Sequence, residues 1–509
     1  MRSVWSKWLL SIATLFITPV LLAQIKIDIN WNKIERVSQT SPTLQVVVNP
    51  PLRHGTEVST NAYRAVHDLG ADYVRYVPWL PYPKLGVAEL DPPKDGKTSW
   101  DFSLIDPMTI DFLEATQGHS VILNFSTIPQ WMFKTEKPVA YPSDPNQVTW
   151  DYEQGTELRD ATFKEVADYY ARLLAWYTQG GFIDELGKRH ESGHHYAVPY
   201  WEVLNEVEFE HHMSPEMYTK LYDAVVSAMR KVQPHLKFVG MALAMPSLDP
   251  QYFEYFLDHK NHQAGIPLDF ISYHFYAAPT PDQTPEIQGY TFFAQADGFL
   301  NTVRYVEAIR QRLSPETRTT IDEIGAISAD DSAQSEPGHV ARPIPNSYWN
   351  LTGAMYAYLF GEMARMGIDV AGESQLVGYP TQFPSVSMVD WNTGKPNARF
   401  WVLKLLHANF GPGDKLADLR DSPSSRNPYV YALPVITENG KKRILLVNKS
   451  ERSQEVQLVG AGGGQMEYVD ETTGMDPPKT VHLRSDQMSL NEFSVAAVTF
   501  PQDGAGTKR

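Results

Sequence analysis

The stretch Tyr200-Trp201-Glu202-Val203-Leu204-Asn205-Glu206 starts with residue types that suit a pleated strand and ends in two polar residues, Asn205 and Glu206. A second stretch, Thr319-Thr320-Ile321-Asp322-Glu323-Ile324-Gly325, has the same form and carries Glu323 near its end. Moving outward from these two, short β-rich runs recur at Leu44–Val48, Tyr73–Val77, Ser120–Asn124, Lys237–Gly240, Phe270–Tyr273 and Asp369–Gly372. Longer helical patterns fill the gaps. In 158–177, Phe163, Val166, Ala167, Tyr170, Leu173, Leu174 and Tyr177 fall on one helical stripe. Ser214-Pro215-Glu216 has the cap and first-turn proline of a helix start. Eight strand–helix units in alternation predict a closed parallel barrel, an α/β (β/α)8 TIM barrel, whose site lies at the C-terminal ends of the strands. A doubly wound open sheet is the structural alternative, but no Gly-rich phosphate loop follows the first strand.

After Gly411-Pro412-Gly413 the texture changes to short β-like runs: Tyr429–Leu433, Arg443–Val447, Glu455–Leu458, Met466–Tyr468 and Ser494–Phe500. These predict a small C-terminal β-sandwich. The expected division is a signal segment at residues 1–23, an N-terminal strand at 24–41 that joins the sandwich, the barrel at 42–411, the sandwich at 412–502 and a disordered tail at 503–509. The signal reading rests on Arg2 and Lys7 followed by the apolar run Leu9–Leu22 and Ala23. That run is short against the roughly 20 apolar residues of a bilayer span. A secreted or periplasmic location follows, with no stable membrane insertion after cleavage; an uncleaved anchor is the alternative.

The chain has no cysteine, which excludes disulfides, thiolate metal sites and a cysteine nucleophile. Losing Arg2 and Lys7 from 44 basic residues, against 60 acidic ones, takes the net charge from −16 to −18. Such a surface disfavours nucleic acid as a partner. The 12 Trp, 26 Tyr and 22 Phe supply a packed core and also suit a sugar site, where flat rings stack on pyranose faces. The sequence does not set the oligomeric state.

Two carboxyl groups at the ends of different barrel strands are what glycosidic cleavage needs, one to protonate the leaving oxygen and one on the other side of the reacting carbon. Most glutamates are exposed and unpaired. Position is what singles out Glu206 and Glu323, since the tripeptide Leu-Asn-Glu recurs at 490–492 inside the expected sandwich. Tyr200–Glu206 resembles the Glu-Val-Trp-Asn-Glu-Pro segment of retaining barrel glycosidases in clan A, especially glycoside hydrolase family 39. Four more segments resemble that family in order: Gly70–Arg75, Asn124–Trp131, Ile271–Tyr276, and the region from Val389-Asp390-Trp391 to Gly411 with a β-domain after it. Leu204, Val207 and Ile324 stand where the family has Trp, Pro and an aromatic residue.

The resemblance implies a retaining hydrolase of a carbohydrate substrate, with Glu206 as acid/base, Glu323 as nucleophile and no cofactor. The family includes β-xylosidase and α-L-iduronidase activities. Around that pair, Asn205 is either a sugar-hydroxyl partner or a loop cap. Arg75 either orients the nucleophile or makes a structural ion pair. Asn124, His274 and Tyr276 are candidate substrate or nucleophile contacts. Trp131 and Trp391 are sugar platforms or core. Glu373 and Gln375 are placed to face the pocket from the eighth strand. Asp322 is expected to point away from Glu323, Glu202 to support the site from below, and Glu208 and Glu210 to sit at its rim. Two rival classes are a non-catalytic sugar-binding barrel and a metal-dependent barrel hydrolase using His190, His194, His195, His211 and His212. Against the second, no His-Glu-x-x-His helix and no His-x-His pair at the first strand end is present. The exported chain is expected to begin at Gln24; N-terminal sequencing of protein recovered outside the cytoplasm of the expressing cell checks this, and a chain beginning at its initiator end would show an uncleaved anchor.

Overall fold

The structure, a computed structural model, describes residues 25–136, 140–150, 155–280, 282–336, 338–420 and 427–502. The expected signal segment and C-terminal tail lie outside the described residues. Eight parallel strands close into a barrel: Ser41–Val47, Val74–Val77, Val121–Leu123, Tyr200–Val203, Lys237–Leu243, Phe270–Ala277, Arg318–Ala326 and Val370–Glu373. They are called strands one to eight below. Closure is made by the pairing of strand eight with strand one, Val370 to Glu373 against Ser41 to Leu44. The strands are short and buried on both faces, which is why they read as runs of Val, Ile and Tyr rather than as alternating patterns.

The helices between them form by ordinary rules. Ser214 caps helix Pro215–Val232 by accepting the Met217 N–H at 3.2 Å, and Asn397 caps helix Ala398–Asn409 by accepting the Arg399 N–H at 2.9 Å. The stripe expected over 158–177 becomes helix Lys164–Thr178, with Phe163 at φ 60° closing the turn before it. No helix among the described residues is long and apolar enough to cross a membrane.

Beyond the barrel, a seven-stranded antiparallel sheet runs in the spatial order Lys479–His482, Gln465–Val469, Val495–Thr499, Lys442–Asn448, Val430–Ile436, Lys415–Leu419 and Ile29–Val37. A three-stranded sheet of Ile25–Ile27, Gln454–Leu458 and Gln487–Leu490 lies against one face of it. The N-terminal stretch thus supplies a strand to each sheet. Strands Lys415–Leu419, Lys479–His482 and Gln487–Leu490 were not among those expected; Lys479–His482 is exposed throughout and has no apolar face to announce it.

Alternation of side chains in the seven-stranded sheet decides how the two parts join. Ile444, Leu446, Ala496 and Val498 point to the three-stranded sheet. Their neighbours Leu445, Val447, Val495 and Ala497 point the other way, into the same core as the barrel helices. Helices Asn346–Met366 and Ala398–Asn409 carry this contact. Gly361 sits where a Cβ would come within 2.6 Å of the Tyr431 ring and hydroxyl, so only a bare backbone lets sheet and helix approach this closely. Gly361→Val is expected to cost about 1–3 kcal/mol by overpacking, measured by urea denaturation. A chain ending at Gly413 should be insoluble, because both helices would expose the apolar side the sheet now covers; soluble yield on expression tests this.

Candidate active site

At the end of strand four the backbone leaves the β region. Leu204 has φ 63° and Glu206 φ 43°, both in the left-handed region, where non-glycine residues cost about 1–3 kcal/mol. A regular strand would send Asn205 and Glu206 to opposite faces. The two kinks break that alternation, and both side chains line one cavity of about 900 Å³ at the C-terminal mouth of the barrel. The kink is held by the Glu206 N–H donating to the Ala242 carbonyl at 2.9 Å. Glu323, Tyr276 and Gln375 line the same cavity from strands six to eight.

Beneath it, the buried guanidinium of Arg75 gathers four strands. Its Nε donates to Glu202 Oε2 at 2.5 Å, Nη1 to Glu323 Oε1 at 2.5 Å and to Gln45 Oε1 at 2.7 Å, and Nη2 to Asn205 Oδ1 at 2.6 Å. The other oxygen of Glu323 accepts the Tyr276 hydroxyl at 2.6 Å. Glu202 also accepts from Asn124 Nδ2 at 2.6 Å and from the Ser272 hydroxyl at 2.5 Å. His274 is buried between carboxylates, with Nδ1 at 2.9 Å from Glu206 Oε1 and 3.5 Å from Glu323 Oε2, and Nε2 at 3.4 Å from Asp322 Oδ1.

Burial alone would push the His274 pKa down, but Glu323, Asp322 and Glu206 outweigh it and hold the imidazole well above its ordinary value, as a cation. Burial pushes Glu202 up to about 7, against the pull of Arg75, with Asp322 adding to the rise. Burial would also raise Asp322, yet Arg75 and His274 hold it below its ordinary value. Of this neighbouring pair, Glu202 is therefore the more readily protonated.

Asp322 does not turn away from Glu323. Strand six pairs Ser272 with Thr320 but His274 with Glu323, a slip that places both acids of strand seven against the Arg75–His274 layer. Glu373 faces outward, not into the pocket: it is fully buried, accepts Arg399 Nε at 2.9 Å, and burial lifts it to about 7. Gln375, past the end of that strand, is the residue of the two that lines the cavity. Trp131 is no sugar platform here; its Nε1 donates to the Glu89 carbonyl at 2.9 Å and Arg159 covers its ring at 4.3 Å. Trp391 packs on the core away from the cavity. Asn124 is buried and reaches Glu202 rather than the cavity, so it acts on the site from behind.

The loop histidines scatter. His190 pairs with Asp184 and His194 with Asp106, while burial takes His211 down to about 4. Among the described residues, the one cluster with metal-ligand spacing is Glu206, His274 and Glu323 themselves, whose ligand atoms lie within 4.8 Å of one another. A further cation there would face Arg75 and the imidazolium, which disfavours it.

Several cavity residues carry no sequence signal that singles them out: Trp79 after strand two, Trp150 in the loop after strand three, and Phe383 after strand eight. Gln45, which links Arg75 to Ser374, was legible only as a polar residue inside the first strand run.

This geometry has known company. The model of a family described as glycosyl hydrolases family 39 matches residues 48–329, more than half of the chain. The chain belongs to glycosyl hydrolase family 39. Its fold is shared with a family 39 β-xylosidase from Caulobacter crescentus at 14% identity and TM-score 0.58, covering 93% of this chain and 99% of that one. A family 51 α-L-arabinofuranosidase from Bifidobacterium longum aligns at 14% identity and TM-score 0.59, over 94% and 99%. A family 30 endoxylanase from Clostridium papyrosolvens aligns at 12% and 0.55, over 94% and 100%. No curated protein matches the chain by sequence. At such identities the likeness is one of fold; the family membership makes this protein a glycoside hydrolase acting on carbohydrate.

In this family 39 hydrolase, Arg75→Met would leave Glu202, Asp322 and Glu323 buried without their cation, and is expected to cost about 3–5 kcal/mol near neutral pH. Arg75 favours the ionised form of Asp322, so the stability from that contact is present above the ordinary carboxylate range and is lost as pH falls through the lowered pKa. The gap between wild type and variant should be widest near neutral pH and narrow on acidification, as urea melts across that range would show.

Proposed function

We propose that this chain is an exported retaining glycosidase that cleaves O-glycosidic bonds of oligo- or polysaccharides, with Glu206 as acid/base and Glu323 as nucleophile. The observation that supports it is spacing: carboxylate oxygens of the two residues approach within 4.8 Å. With one oxygen of each inside that bound, the pair suits a retaining site, whose carboxyl groups stand about 5–5.5 Å apart, better than an inverting one at about 6.5–9.5 Å.

The chemistry follows from the contacts. Arg75 and Tyr276 each hold one oxygen of Glu323 and so aim the carboxylate at the anomeric carbon. As Glu323 attacks, the proton of Glu206 passes to the glycosidic oxygen and the aglycone leaves as an alcohol. The carboxylate left on Glu206 faces the His274 imidazolium, 2.9 Å away, which stabilises it. It then takes a proton from water as that oxygen attacks the glycosyl ester. The free sugar leaves as a hemiacetal and Glu323 returns as a carboxylate, with net retention. The neighbouring folds include a β-xylosidase and an α-L-arabinofuranosidase, which makes aryl pentosides the first substrates to assay.

Removing the acid hurts most when the leaving group is poor; removing the nucleophile abolishes the glycosyl ester whatever the leaving group. Glu206→Ala is therefore expected to keep appreciable glycosylation with an activated aryl glycoside and lose it with an alkyl aglycone, and azide should yield a glycosyl azide of retained configuration. Glu323→Ala should be nearly dead on both, with azide giving the inverted product. Exchange of these behaviours would reverse the roles, and full activity in both variants would move the site elsewhere.

A further inference from the structure

The cavity is larger than the two glutamates need, and its remaining wall has a definite chemistry. Trp79, Trp150 and Phe383 pack on one another, with ring centroids 5.5 Å apart for Trp79–Trp150, 5.7 Å for Trp150–Phe383 and 6.2 Å for Trp79–Phe383. The three come from loops after strands two, three and eight and meet only in the fold. Glu210 lies against this box. Its Oε1 accepts Trp79 Nε1 at 2.6 Å and Asn205 Nδ2 at 2.8 Å. The same Asn205 gives its oxygen to Arg75, so the amide beside Glu206 is held from both ends.

Four carboxyl groups line the cavity, those of Glu206, Glu210, Glu323 and Asp331; among the described residues no lysine or arginine does, and the one histidine that does is the exposed His212. Arg75 lies behind the wall with its donors already engaged. Burial first, and then Glu206, push the Glu210 carboxyl well above its ordinary value, so near neutrality it offers an O–H as well as acceptors.

Resting on the glycosidase reading above, we propose that Glu210 and Trp79 form the sugar-selecting subsite, in which Glu210 hydrogen-bonds a hydroxyl of an uncharged glycone while, among the described residues, no lysine or arginine lines the cavity to take a glycone carboxylate. Aromatic rings suit the C–H face of a sugar, and a carboxyl held by two donors is rigid enough to read one hydroxyl. A uronate would bring a charge into an acid-lined cavity that has no lysine or arginine among its described residues, a juxtaposition of like charge that binding sites use for rejection.

Thioglycosides resist hydrolysis and therefore test binding apart from turnover. The probes are methyl 1-thio-β-D-xylopyranoside, its three monodeoxy derivatives and methyl 1-thio-β-D-glucuronide, which adds only a C5 carboxylate. Calorimetric titration of the full chain should show the xyloside bound and the glucuronide at least about a hundredfold weaker. Glu210→Ala should weaken the xyloside about tenfold or more, while one monodeoxy derivative binds wild type and variant alike because the hydroxyl Glu210 holds is already gone. Glu210→Gln, which keeps an acceptor for Trp79 and Asn205, should retain more affinity than Glu210→Ala. Equal binding of xyloside and glucuronide, failure of the xyloside to bind wild type, or an equal loss on every deoxy derivative would overturn the proposal. Normal binding with no hydrolysis of any glycoside would instead overturn only the catalytic reading.

Discussion

Arg75 enters the barrel from strand two, and its guanidinium has almost no contact with solvent. Burying such a cation is affordable only where anions and acceptors surround it. The fold meets that condition with Glu202 from strand four, Asp322 and Glu323 from strand seven, Asn205 from the end of strand four and Gln45 from strand one. A lysine could not replace it, since one ammonium has no planar fork to reach partners on several strands. The relative placement of Asn205 and Glu323 is thus set by one side chain.

That constraint also explains the crowding of acids in a region of low dielectric. Glu202, Asp322, Glu206 and Glu323 cannot all be ionised at close range without compensation. Two cations, Arg75 and the His274 imidazolium, supply part of it, and the raised pKa of Glu202 eases the rest of the crowding. The dipoles and charges that receive developing charge are therefore in place before substrate arrives, the arrangement that gives electrostatic preorganisation its effect. Asn124 and Ser272 belong to this layer: they satisfy Glu202 and never reach the cavity.

The second domain contributes stability to the same core rather than groups to the site. The central strands of its seven-stranded sheet are buried on both faces, one against the three-stranded sheet and the other against helices that back the barrel. Among the described residues, none that lines the cavity comes from it. The candidate site therefore belongs to the barrel, and the sandwich shields two of its outer helices.

The barrel was legible in the chain because burial on both faces forces each strand to be a short apolar run, and turns and helix caps mark the gaps between runs. Eight such runs and two strand-end glutamates could be counted without coordinates, and so could Arg75, Asn205, His274 and Tyr276. What depends on side-chain direction could not. Glu373 and Gln375 are two residues apart, yet one pairs with Arg399 behind the barrel and the other lines the cavity. Asp322 joins the site because of a register slip between strands six and seven, which no pattern in either strand records. Trp131 and Trp391 read as platform or core and pack against the core, while Trp79, Trp150 and Phe383 form the aromatic wall. A tryptophan in a loop reads the same whether it meets solvent, core or sugar. Composition and periodicity report how much of a segment is buried; only the closing of eight strands, which brings loops distant in sequence to one rim, decides which side chains share a cavity.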